Sequence, residues 1–78
     1  MEVRIGAADT GKELIIEMPD EAKADDVRAQ LDEALASPEG LIWMTDRRGR
    51  QVGVPVARVG WVEIRIDDGA SKIGFGAA

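Results

Sequence analysis

Only one stretch of this chain has the period of a helix. Within residues 20–37, Val27, Leu31, Ala34 and Leu35 recur at i, i+4, i+7 and i+8, which puts them on one helical face. Ala22, Ala24, Ala29 and Ala36 add helix propensity. Asp20, Glu21, Asp25 and Asp26 lie early, where a helix N-terminus favours negative charge, and either Asp20 or Asp25 could cap the start. Ser37-Pro38-Glu39-Gly40 ends the helix. A lone amphipathic helix must bury its stripe against something else, and the rest of the chain reads as strand.

Glu2-Val3-Arg4-Ile5 alternates polar and apolar, and Glu13-Leu14-Ile15-Ile16-Glu17-Met18 is aliphatic, so the two form a hairpin across the turn at Gly6–Lys12. Leu41-Ile42-Trp43-Met44-Thr45 is a third strand, apolar on both faces. Asp46-Arg47-Arg48-Gly49-Arg50 is a hairpin turn in which Gly49 supplies a positive φ. Gln51–Val56 returns with Val52, Val54 and Val56 on one face, and Pro55 marks an end or an edge. Trp61–Ile66 is a fifth strand, with Val62, Ile64 and Ile66 inward and Glu63 and Arg65 outward. Asp67-Asp68-Gly69-Ala70 turns, and Lys72-Ile73-Gly74-Phe75 can add a short last strand. The expected fold is α+β: a mostly antiparallel sheet of five or six strands with one helix packed on one face, in the order β-β-α-β-β-β.

Seventy-eight residues make a single domain, 1–78, with a thin core. Such domains usually need a staple. The chain has no Cys and no His, so disulfides and ordinary zinc sites are excluded, which leaves good packing or self-association. The lack of Cys fits a reducing compartment. Charge at Glu2 and Arg4 and the absence of a following apolar run argue against a signal peptide, and no segment is long and apolar enough to span a membrane. The expected location is the cytoplasm.

Gly6-Ala7-Ala8-Asp9-Thr10-Gly11-Lys12 matches the spacing of a phosphate-binding loop. That loop needs a Ser or Thr after the Lys to hold Mg²⁺, and a helix whose N-terminus faces the phosphates. Glu13 and an aliphatic strand follow instead, so the segment reads as a hairpin turn. The acidic residues do not converge on a carboxylate pair, and Asp67-Asp68-Gly69 lacks the spacing and final Glu of a calcium loop. Ser71 and the two threonines have no visible activating base. Without His or Cys, the commonest general base and thiol nucleophile are missing. The chain therefore reads as a non-enzyme with no cofactor and no metal.

Two groups of residues can make contacts. Arg47, Arg48, Arg50 and Arg58 are the basic cluster: residues 46–58 carry +3 (four Arg minus Asp46) in a chain whose net charge is −5. Guanidinium groups suit phosphate or carboxylate recognition, so this turn can meet an acidic protein surface, a nucleotide or nucleic acid, or simply be solvated. The overall negative charge argues against general nucleic-acid affinity. Trp61 shares the solvent face of its strand with Glu63 and Arg65, and Trp43 shares a face with Leu41 and Thr45. Tryptophan on an exposed sheet face is a candidate interface anchor.

Several segments together resemble a family of small actinobacterial proteins of unknown function, some labelled ATP-binding. They are Met1–Gly6, Glu13–Glu17, Glu33–Ala36, Thr45-Asp46 through Gly49-Arg50, Val52, Val54-Pro55, Val62-Glu63-Ile64 and Gly74–Ala78. Trp61 stands where Tyr is common in that pattern, and Trp43 where a smaller residue is common. The resemblance implies a cytoplasmic stand-alone domain and brings no catalytic residues. The leading expectation is a protein-interaction module, self-associating as a homodimer or serving as an adaptor for a larger partner, with Trp61, Trp43, Glu63 and Arg65 at the contact. The alternative is a nucleotide or nucleic acid held at Arg47, Arg48, Arg50 and Arg58.

Overall fold

The computed structural model of the protein describes residues 1–66. The turn at Asp67–Ala70, the expected strand at Lys72–Phe75 and the Gly74–Ala78 segment lie outside the described residues. The order is β1 (Glu2–Ala7), β2 (Glu13–Glu17), α1 (Ala24–Leu35), β3 (Leu41–Thr45), β4 (Gln51–Pro55), a 3₁₀ turn at Val56–Arg58, and β5 (Val59–Arg65). This is the expected α+β layout, with its five described strands divided between two antiparallel sheets. One sheet has the order β2-β1-β5; the other is the β3-β4 hairpin. The β3–β4 ladder runs one bond past Pro55, with Val56 N–H on Gly40 O at 3.0 Å, and the 3₁₀ turn at Val56–Arg58 then redirects the chain from β4 to the side of β1.

Alternation decides which side chains meet. β1 is the central strand, and Val3 faces Ile16 on β2 and Ile64 on β5, while Ile5 faces Leu14 and Val62. That row meets Val27 and Leu31 of α1 and Ile42 and Met44 of β3 in one core. Val3, Ile16 and Ile42 are fully buried. Each buried aliphatic side chain of this kind is worth roughly 1.5–3 kcal/mol relative to exposure. A backbone bond ties the two sheets together, Arg47 N–H donating to Glu17 O (2.8 Å), while Ala8 N–H on Arg58 O (2.9 Å) prolongs the β1–β5 pairing into the 3₁₀ turn.

Three local expectations are corrected. The helix starts at Ala24, not at residue 20, because Pro19–Ala22 closes a turn of its own, with Ala22 N–H on Pro19 O at 3.0 Å. Neither Asp20 nor Asp25 caps it: the N-cap is Lys23, without a side-chain cap, and Asp25 and Asp26 sit in the first turn. Ile66 is not inward. It lies beyond the end of β5 and is 68% exposed, whereas Val62 and Ile64 do pack on the core.

Candidate functional site

The face of the three-stranded sheet opposite the core carries a grid fixed by register. Glu17, Glu2 and Arg65 form one row, Ile15, Arg4 and Glu63 the next, and Glu13, Gly6 and Trp61 the third. Arg4 sits at the centre, its Nε 2.7 Å from Glu2 Oε2 and its Nη1 3.3 Å from Glu13 Oε1. The hydrogen bond to Glu2 holds its guanidinium above the ordinary value, against partial burial and with help from the charges of Glu2, Glu13 and Glu63. Arg65 Nε reaches Glu63 Oε2 at 3.3 Å on the same face.

Trp61 closes one corner of that grid. A methyl built on Gly6, its partner on β1, would overlap the indole atoms Cε2 and Nε1. The ring therefore lies flat over glycine backbone, and it stays 45% exposed. The other sheet repeats the device. Trp43 is paired with Gly53, where an added Cβ would sit 2.8 Å from Cη2 and Cζ3 of the indole. Trp43 is 56% exposed, next to exposed Leu41 and Pro55. Open grooves flank α1 on both sides: Trp43 lines one with Val27 and Gln30, and Trp61 lines the other with Leu31 and Leu35.

The structure does not bring the four arginines together. Arg47, Arg48 and Arg50 occupy the β3–β4 turn, beside the end of β2 at Glu17. Arg58 lies beyond the other end of β1, where its carbonyl accepts from Ala8 and its Nη1 is 4.0 Å from Asp9. The length of β1 separates the two, roughly 17 Å for five residue steps. Within the turn, Asp46 accepts three hydrogen bonds. Its Oδ1 accepts the backbone N–H groups of Arg48 (2.9 Å) and Arg50 (2.8 Å), and its Oδ2 accepts Arg50 Nε (3.1 Å). Asp46 is buried. The backbone bond from Arg50, followed by that from Arg48, holds it below the ordinary aspartate range despite the burial. Gly49 completes the turn with φ 86°, as expected for a three-residue hairpin loop ending in the left-handed region. Arg47 approaches Asp20 at 4.0 Å.

The expected turn at Gly6–Lys12 is shorter: Gly6 and Ala7 belong to β1, and residues 8–12 form the hairpin connection to β2. Ala7 N–H donates to Lys12 O at 2.8 Å, Gly11 takes φ 72°, and strand β2 follows directly. Among the described residues no helix N-terminus faces it. Among the described residues no three His, Cys, Asp or Glu side chains are grouped to hold a metal ion, and no helix is long and apolar enough to cross a membrane.

Sequence reasoning singled out both tryptophans and the arginine turn. It missed Gly6, Gly53, Gln30 and the ordering role of Asp46. Gln30 donates from Nε2 to Trp43 O at 2.8 Å and so covers a carbonyl on the outer edge of β3. The hairpin register alone could have placed Gly53 opposite Trp43, and Asp at the first position of a turn with Gly three residues on is a type I signal. The Gly6–Trp61 pair is non-local and leaves no such trace.

The family model described as "Protein of unknown function (DUF3107)" matches residues 1–76. No curated protein matches the chain.

Proposed function

The chain belongs to the DUF3107 family, and on that premise we propose that it is a non-enzymatic protein-interaction module that associates with itself or docks onto a larger partner. The observation that carries this reading is the pair of tryptophans laid flat over facing glycines and left half exposed. An indole offers up to about 200 Å² for burial, so each ring has roughly 100 Å² still to cover, or about 2.5 kcal/mol at 25 cal/mol per Å². An exposed ion pair contributes about 0–1 kcal/mol, so the rings outweigh the arginines as anchors. A ring already flattened on glycine has little rotamer freedom left to lose on binding. The lack of His and Cys supports the non-enzymatic part, and the lack of Cys fits a cytoplasmic setting.

The phosphate-ligand reading has less support. Asp46 already engages Arg50, Asp20 stands near Arg47, and Arg58 lies at the far end of β1.

The test is tagged capture from nuclease-treated extract of the source cell with wild type, Trp61→Ala and Arg48→Ala. The reading expects a protein that survives nuclease, is retained by Arg48→Ala and is lost with Trp61→Ala. A captured species that disappears with nuclease, or that ignores Trp61→Ala, contradicts it.

A further inference from the structure

We infer that the outer edge of β5 pairs antiparallel with β5 of a second copy, in the register centred on Ile64, so that Glu63 of each chain meets Arg65 of the other. This rests on the interaction-module reading and names its partner. Among the described residues there are four sheet edges, and three of them carry a plug. Arg47 N–H occupies Glu17 O beside β2, the Gln30 side chain occupies Trp43 O on β3, and β4 ends in a proline. β5 is the longest strand, seven residues, and among the described residues nothing pairs with its far side. Charges on an edge strand often serve only to repel other strands. Here the two outward charges are of opposite sign and two residues apart, which makes them self-complementary.

Register arithmetic selects the pairing. Two-fold pairing requires each residue to face its mirror position, and registers that place core-facing residues opposite solvent-facing ones are excluded. A centre on Glu63 sets Glu63 against itself, and a centre on Arg65 sets Arg65 against itself; like charges directly opposite are destabilising. A centre on Val62 pairs Trp61 with Glu63 and leaves Arg65 without an opposite charge. A centre on Ile64 forms two Glu63–Arg65 pairs and aligns Val62 with the exposed Ile66. The result is a continuous six-stranded sheet, β2-β1-β5-β5-β1-β2. The pairing also extends an apolar row along the groove lined by Leu35.

The test is sedimentation of the full chain from micromolar to millimolar concentration, for wild type, Glu63→Arg, Arg65→Glu and the double swap, with thermal melts as a check on folding. The inference expects a dimer for wild type, at least tenfold weaker dimerisation for each single variant, and recovery in the double swap with all four folded. A wild type that stays monomeric throughout, with its β5 edge taken by its own chain or by another protein, overturns it. So does a dimer indifferent to all three variants. A monomer whose Trp61→Ala variant still loses a nuclease-resistant host protein overturns the pairing and leaves the interaction-module reading standing.

Discussion

The indole of Trp61 lies across the backbone of Gly6, its partner on the central strand, on the face of the sheet turned away from the core. Trp43 and Gly53 repeat that arrangement on the second sheet. In each pair the glycine acts as a floor. It lets a large ring lie against the sheet without a Cβ beneath it, and it leaves the opposite ring face to solvent.

The first prediction concerns that floor. Alanine for glycine within a strand normally stabilises by about 0.5–1 kcal/mol. Gly6→Ala should do the reverse, costing about 1–3 kcal/mol through overpacking against the indole, unless the ring swings away from the sheet. Urea unfolding measures the cost, and emission in a Trp43→Phe background reports the ring. A stabilised variant with unchanged emission would mean that Trp61 does not lie on Gly6.

The second concerns the core. Ile42→Ala removes a fully buried side chain from the hairpin that α1 covers and should cost about 2–5 kcal/mol. Against a typical total of about 5–15 kcal/mol, that places a domain of this size near unfolding. Ile42→Val should cost about 0.5–1.5 kcal/mol, and denaturant midpoints for the two separate the outcomes.

The third concerns the turn. Asp46 is held below the ordinary value of 3.8 by the backbone N–H groups of Arg50 and Arg48. A depressed folded value means a contribution fully present above the unfolded value and lost as pH falls through the folded one. Asp46→Asn should therefore lower Tm at neutral pH, and the gap to wild type should close as the solution is acidified below the unfolded value. A gap independent of pH would assign the effect to something other than the charge.

The fourth concerns the segment with phosphate-loop spacing. Lys12 is exposed and its backbone N–H serves the Thr10 hydroxyl in the hairpin turn. Lys12→Ala should change stability by no more than about 0.5 kcal/mol. ATP with Mg²⁺ should leave the Tm of wild type and variant unchanged. An ATP-dependent rise in Tm that Lys12→Ala abolishes would restore the phosphate reading.

Local signals in the chain were enough for the elements and their order. The period of Val27 and Leu31 marks the helix, the valines of β4 mark its inner face, and Asp46 through Gly49 mark the hairpin. What was not legible came from contacts distant in sequence. The division into two sheets depends on β5 leaving β4 and finding β1, and Pro55 hints at the break without naming the new partner. Arg58 looked close to Arg50 because eight positions separate them in the chain, yet the 3₁₀ turn carries it to the far end of β1. The same return of β5 creates the Trp61–Gly6 pair, so the candidate site was visible as separate residues and not as an arrangement.

The most direct test of the interaction reading is the emission and acrylamide quenching of Trp61 alone, in a Trp43→Phe variant, followed from dilute to associated protein. The account predicts exposed, readily quenched emission when dilute, then a blue shift and loss of quencher access as mass rises or the captured partner is added. Emission and quenching that stay constant while association proceeds would place the contact elsewhere and contradict the account.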